Sequence, residues 1–89
     1  MHVTVRLFSH LRLALGKRSL DMEMSEGATV ADVMERMRTL TGPEVESMIV
    51  GGPEGGYRLV VLVNDRRTQA DRALHEGDVV SLLPPLGGG

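Results

Sequence analysis

The chain has 89 residues, a length that suits one small domain and leaves no room for two. Its net charge is −2 and it has only two aromatic residues, so the composition provides neither the basic stripe nor the stacking surface expected of a nucleic-acid-binding protein. It contains no cysteine, which excludes disulfides, thiolate catalysis and cysteine-ligated metal sites.

The start of the chain predicts two neighbouring strands. Residues 2–8 alternate apolar and polar side chains, which is the period of a strand with one buried face, and residues 19–25 repeat this alternation. The segment between them, residues 9–18, contains Gly16 as a turn residue. We therefore predict a hairpin whose two strands are joined by a long loop.

The middle of the chain changes to the period of a helix. Apolar side chains recur at a spacing of 3.6 residues between positions 30 and 40. Thr29 is placed as the N-cap, and Asp32 lies three residues later, as in a capping box. Gly42 and Pro43 are typical of a helix end, so the main helix is predicted to stop just before them.

The second half predicts two more strands in a mixed sheet. A short helical turn over residues 45–49 and a glycine-rich loop lead to residues 57–64, which are nearly all apolar and read as a strand covered over most of its surface. The polar connection after them is predicted to begin with a turn at 64–65 and to contain one short helical turn at residues 70–74. The last strand starts at Asp78 and ends at Pro84, because proline cannot donate to the ladder. This order predicts an α+β fold, with a mixed sheet of four to five strands packed on one main helix.

The interior of the sequence has no catalytic or metal-binding motif. The three histidines are scattered without metal-ligand spacing, and the acidic residues are dispersed. The loop GGPEGG precedes a strand and lacks the Gly-Lys-Ser/Thr of a phosphate-binding loop, so it reads as a surface loop. No apolar run approaches the ~20 residues of a membrane span. The first residues do not resemble a signal peptide, so we expect a cytoplasmic protein without a metal site.

The final residues, LLPPLGGG, are the remaining candidate for a functional site. A glycine-rich end is commonly a frayed terminus, and the residues alone permit that interpretation. They also permit a second one. Pro84 and Pro85 favour an extended exit from the last strand. Leu86 adds one apolar anchor, and the α-carboxylate falls on Gly89, which has no Cβ. At ~3.3–3.6 Å per residue the last four residues reach ~13 Å, enough to thread a narrow channel in another enzyme.

Several features of the chain occur together in one known family. Near the carboxyl end they are Val-Asn at 63–64, Leu-x-x-Gly-Asp at 74–78, an apolar strand, Pro84, Pro85, Gly88 and Gly89, with Gly87 at the variable position before the final pair. The segments VRLFSHLRLALG and GATVADVMERM match the family's first strand and loop and its first helix. With these features the chain resembles the MoaD/ThiS-like sulfur carriers, which are small ubiquitin-like β-grasp proteins.

The resemblance implies a domain over residues 1–86 and a flexible tail over residues 87–89. It also implies that the reacting group is the carboxylate of Gly89. An ubiquitin-activating-type adenylyltransferase would use ATP to convert this carboxylate into an acyl-adenylate, and sulfur from a persulfide would then replace AMP and leave a thiocarboxylate. Gly88 would pass through the enzyme's channel. The chain itself would bind no cofactor and would have no internal catalytic site.

The resemblance further implies a partner-binding surface, formed by an apolar patch of the sheet and by the tail. Arg67 lies where the molybdopterin carriers commonly have an apolar residue, which puts the identity of the activating enzyme or the strength of its docking in question. The residues implied for this surface are Phe8, Arg67, Leu83, Pro84, Pro85, Leu86 and Gly87.

Residues 43–56 favour one end use within the family, because carriers for the thiamine thiazole usually have little chain between the helix and the third strand. This segment favours the small subunit of molybdopterin synthase. Its partner there is the large subunit, and its sulfur enters the dithiolene that holds molybdenum or tungsten. Carriers for thiamine thiazole or cysteine biosynthesis and protein modifiers are alternatives. A non-catalytic ubiquitin-like binding module is the alternative of a different class.

Overall fold

The computed structural model describes residues 1–49 and 57–84. Within these ranges the chain forms five strands and three helices. In chain order they are β1 (His2–Leu7), α1 (Ser9–Leu15), β2 (Ser19–Glu23), α2 (Val30–Leu40), α3 (Pro43–Ile49), β3 (Val60–Val63), β4 (Arg66–Arg67) and β5 (Val79–Leu83). The predicted boundary between domain and tail, at residues 86–87, lies outside the described residues and stays a prediction.

The five strands form one mixed sheet in the order β2-β1-β5-β3-β4. β1 and β5 are parallel, and the other three pairs are antiparallel. The strand last in sequence therefore lies in the middle of the sheet, between β1 and β3. This arrangement confirms the predicted α+β fold with a mixed sheet, and the short β4 makes the fifth strand.

The main helix, α2, begins as predicted. The Thr29 hydroxyl accepts a hydrogen bond from the Asp32 N–H at 3.4 Å, and the Asp32 carboxylate accepts one from the Thr29 N–H at 2.8 Å, which completes a capping box. The buried face of α2 has no exposed surface at any of its four apolar positions, which are Val30, Val33, Met34 and Met37. These side chains join the alternate apolar residues of β1 in a single core.

The first connection differs from the prediction. Residues 9–18 were predicted as a loop, and that prediction was wrong, since they contain the helix α1. Leu11, Leu13 and Leu15 are spaced by two residues, which hides the helical period. In the helix, Leu11 is buried and Leu13 is 80% exposed. α1 ends at Gly16, whose φ of 67° is left-handed and favours glycine.

Smaller differences concern the second half of the chain. The strand predicted over residues 57–64 is shorter and begins at Val60. The helical turn considered in the polar connection is a hydrogen-bonded turn from Gln69 to Arg72. The short helix after α2 is confirmed as α3, and the Arg38 guanidinium ties it to α2 through an ion pair of 2.7 Å with Glu46.

Candidate functional site

The end of β5 is where the chain leaves the sheet. β5 is paired on both sides, and its last residue, Leu83, lies opposite Val60 of β3. Leu82 is fully buried, whereas Pro84, the next residue after the strand, is exposed. Pairing on both sides fixes the position of β5, and with it the point at which the chain leaves the sheet. The candidate residues Pro85, Leu86, Gly87, Gly88 and Gly89 lie outside the described residues.

The outer face of the sheet, opposite the buried face of β1 and β5, carries the other candidates. Strand pairing places one residue from each strand in a single row across this face, and these residues are Ser19, Arg6, Ser81, Leu62 and Arg67. Arg6 and Arg67 are exposed, and both flank the less polar centre of the row. Arg67 lies on the short strand β4, and the structure places it on the outer face of the sheet, in the same row as Ser81 of β5.

Phe8 and Leu83 lie at the same level of this face. The parallel pairing of β1 with β5 includes Leu7 opposite Leu82, and each candidate follows one residue later. The backbone of Phe8 is still extended, so its side chain alternates to the side opposite Leu7. Phe8 and Leu83 are both half-buried, and Leu83 is followed by the exit at Pro84.

Sequence reasoning did not list the rest of this apolar patch. It consists of three further half-buried residues, which are Val60, Leu62 and Val79. A signal for them was present, since β3 reads VVLV and is apolar on both faces. A strand with two apolar faces needs a cover on each, and in the described part of the chain the helical core covers only one.

Asp78 fixes the point at which β5 starts. Its carboxylate is almost buried and accepts hydrogen bonds from the Asn64 side-chain amide at 2.9 Å and from the His75 N–H at 2.8 Å. Burial raises the pKa of this carboxyl, but the two hydrogen bonds, together with the charges of His75 and Arg72, outweigh burial and hold the pKa below its usual value. The Asp of the Leu-x-x-Gly-Asp motif is therefore a structural anchor.

Asn64 completes this anchor from the other side. Its side-chain oxygen accepts a hydrogen bond from the Val79 N–H at 3.0 Å, so one side chain ties the β3–β4 turn to the start of β5. Asn64 and Asp65 have φ of 51° and 68°. A two-residue hairpin turn of type I′ requires such left-handed values at both of its central residues. The turn predicted at 64–65 is confirmed.

In residues 1–49 and 57–84, histidine, aspartate and glutamate side chains form no group able to hold a metal ion. A helix long and apolar enough to cross a membrane is likewise missing from these ranges. The arrangement instead joins a half-buried apolar patch to a chain exit, which suits contact with another protein.

A β-grasp sheet with its central strand leading to the carboxyl end defines the class of ubiquitin-like proteins. The ThiS family model matches residues 5–89, and the chain belongs to this family. This match confirms the resemblance to the MoaD/ThiS-like family that the sequence showed.

Three relatives are similar over nearly their whole lengths. Small archaeal modifier protein 3 of Haloferax volcanii is 30% identical over 93 residues, with 100% of each chain covered. The crystal structure of small archaeal modifier protein 1 from the same organism has a TM-score of 0.84 at 28% identity, covering 100% of both chains. The putative molybdopterin converting factor subunit 1 of Pyrococcus furiosus has a TM-score of 0.80 at 30% identity, covering 97% of this chain and 99% of its own. The chain is therefore a ubiquitin-like protein of a family of sulfur carriers and modifiers.

Proposed function

We propose that this protein is a sulfur carrier whose reacting group is the carboxylate of Gly89. The carboxylate oxygen attacks the α-phosphorus of ATP on an adenylyltransferase, and pyrophosphate leaves. The terminal sulfur of a persulfide then attacks the carbonyl carbon and expels AMP. A thiol cleaves the S–S bond of the resulting acyl disulfide, which leaves the thiocarboxylate on Gly89 and a disulfide on the donor. ATP is consumed in the activating enzyme, and a cytoplasmic location gives access to it.

The observation that carries this proposal is the path of β5. The strand is held between β1 and β3 up to Leu83, beside the apolar patch of the outer face, and the chain leaves at Pro84. A partner that covers this patch is thus positioned next to the segment that leads to Gly89. The absence of cysteine from the sequence also supports the proposal, because the chain has no thiol on which to carry transferable sulfur.

The end use we propose is molybdopterin synthesis, with the chain as the small subunit of molybdopterin synthase. Two observations support it: the segment between α2 and β3 is long, and the Pyrococcus furiosus relative carries the name of a molybdopterin converting factor subunit. In this role the partners are the adenylyltransferase and the synthase large subunit. Gly88 and Gly89, which have no side chains, would enter the active site of each in turn.

Protein modification is the second candidate, and one observation favours it. Two of the three relatives described above are small archaeal modifier proteins, and each is covered over its whole length. The two candidates share the activated carboxyl terminus and differ in the nucleophile that receives it. A sulfur acceptor takes the sulfur atom and releases the carboxylate, whereas a lysine amine of a target protein attacks the carbonyl carbon and forms an amide.

The first test measures the carboxyl-terminal chemistry directly. The purified chain is incubated with ATP, the adenylyltransferase of its own organism and a persulfide donor, and its intact mass is recorded. We expect replacement of one oxygen by sulfur in the wild-type chain and in Arg36→Ala, which changes an exposed residue of α2 outside the candidate surface, and no change in a chain lacking Gly89. An unmodified wild-type chain with every adenylyltransferase of the organism contradicts the proposal. Restored cofactor synthesis in a carrier-deficient strain tests the molybdopterin end use.

A further inference from the structure

Three arginines from three segments line one surface cavity of about 360 Å³. Arg6 lies on β1, Arg12 lies in the last turn of α1, and Arg18 lies between α1 and β2. The cavity lining, as far as the structure describes the chain, includes no aspartate or glutamate; its other members are Thr4, Leu7, Phe8 and Ser19. The cavity thus brings three positive charges together in a chain whose net charge is −2.

The backbone holds the three arginines in place. Arg6 pairs with Ser19 in the ladder between β1 and β2. The Arg18 carbonyl accepts a hydrogen bond from the Leu7 N–H at 2.8 Å, and the Arg12 carbonyl accepts one from the Gly16 N–H at 2.9 Å. The side chains of all three arginines are exposed. Their attachment points are therefore preorganised, and their guanidinium groups remain accessible.

The guanidinium groups of these arginines have no carboxylate partner among the described residues. Arg38, by contrast, pairs with two glutamates. The contact found for Arg6 is with an aromatic ring, since its guanidinium carbon lies 5.4 Å from the centre of the Phe8 ring. Like charges that share a cavity repel one another, so a bound anion relieves this repulsion. Arginine suits such a role because its planar donors bind carboxylate and phosphate oxygens in pairs.

We infer that this cavity, the arginine cavity, receives acidic side chains of the protein partner that covers the outer face of the sheet. The inference rests on the proposed function, which supplies such a partner. The arginine cavity adjoins the apolar patch of the outer face, and this favours a protein as the bound partner over a free anion. Phe8 lines the arginine cavity and lies level with Leu83 beside the chain exit, so a partner seated on the apolar patch reaches both places at once. Arg67 lies three strands from Arg6 in the same row and adds a further positive charge on the outer face, outside the arginine cavity.

A titration followed by NMR tests the charge recognition without the enzyme. The isotopically labelled chain is titrated with hexaglutamate at low salt, and with hexaglutamine as the uncharged control. We expect hexaglutamate alone to shift amide signals around Arg6, Arg12 and Arg18. Raising the salt concentration should weaken the effect, because exposed charges are screened. In the double variant Arg12→Ala/Arg18→Ala the dissociation constant should rise about tenfold or more.

The matched control is Arg36→Ala. Arg36 is an exposed arginine on α2 that does not line the arginine cavity, so its loss should leave the hexaglutamate affinity unchanged. Equal weakening by Arg36→Ala and by the double variant would show general charge attraction and overturn the inference. Shifts at the arginine cavity with inorganic phosphate but none with hexaglutamate would identify a small-anion site and also overturn it.

The adenylation assay separates this inference from the proposed function. With the adenylyltransferase, the double variant should raise the KM for the chain about tenfold and have less effect on kcat, because it weakens docking and leaves the reacting carboxylate intact. Normal kinetics in the double variant would reject the docking role while the carrier function stands. If the wild-type chain is never adenylated but binds hexaglutamate at the arginine cavity, recognition of acidic groups stands and the carrier function fails.

Discussion

Asp78 shows how one side chain fixes the start of β5, the strand that leads toward the carboxyl end. It is the buried acceptor between the β3–β4 turn and the start of β5, with hydrogen bonds from Asn64 and from the His75 N–H. Its own backbone carbonyl accepts from the Thr4 N–H at 3.0 Å, which adds β1 to the same junction. Removing the carboxylate leaves these donors without their partner in a site that is closed to most water, and such losses are costly.

Asp78→Ala should lower the free energy of unfolding by about 1–3 kcal/mol at neutral pH, since it removes hydrogen bonds to a charged group. The pKa of Asp78 is depressed in the folded state, so its contribution is fully present above the unfolded pKa of about 3.9. It is lost as the pH falls through the lower folded value. Denaturant unfolding from pH 7 to pH 2 should therefore show wild type and variant converging in acid.

Asp71→Ala is the control for this change. Asp71 is exposed in the preceding turn, and the substitution should shift stability by less than about 0.5 kcal/mol at any pH. A difference between wild type and Asp78→Ala that stays constant down to pH 2 would show that packing, and not the ionised carboxylate, accounts for the anchor.

At the scale of elements, the helices show where sequence patterns suffice. α2 combines an N-cap, a capping box and an apolar stripe, and its bounds follow from these local signals. α1 has only one buried leucine, the Phe8 side chain does not cap it, and its leucines are spaced by two residues. A helix this short is stabilised mainly by tertiary contacts, so the sequence alone did not reveal it.

Thr29→Ala should destabilise the protein by about 1 kcal/mol, because the start of α2 loses the side-chain acceptor for the Asp32 N–H. For a domain of this size that corresponds to a fall in Tm of about 4–8 °C. Thr29→Ser keeps the hydroxyl and should retain most of the stability. Thermal unfolding of both variants measures the difference, and equal loss in the two would mean that the threonine methyl group, not the cap, is what matters.

At the scale of the whole molecule, the sheet assembles a site that no local pattern displays. Phe8 and Leu83 are far apart in sequence and become level only through the parallel pairing of β1 with β5. The register places both residues at the same level of the outer face, and their role in partner binding, which the family resemblance implies, stays a prediction. The arginine cavity was not predicted at all, since Arg6, Arg12 and Arg18 have no common spacing and meet only through the fold.

The whole chain also limits which covalent products an activated carboxyl end can form on a second copy. Lys17 is the single lysine of the sequence, and it is exposed just after α1. The Met1 nitrogen is engaged, since it donates a hydrogen bond to the Met24 carbonyl at 2.6 Å. The nine arginines cannot replace lysine, because the guanidinium group stays protonated and is not nucleophilic. Self-conjugation is therefore restricted to one type of lysine linkage.

We predict that the protein acts mainly as a monomeric sulfur donor and does not polymerise. A tagged copy is expressed in its native host, beside Lys17→Arg and a chain lacking Gly89, and the proteins are separated under reducing and denaturing conditions. We expect one unconjugated band in all three, because donation of sulfur leaves no amide bond. A ladder lost in both variants would reveal Lys17-linked chains and contradict the prediction. Abundant adducts with other proteins that persist in Lys17→Arg and vanish without Gly89 would favour the modifier function, since the target then supplies the amine and this chain supplies only the activated carboxyl group.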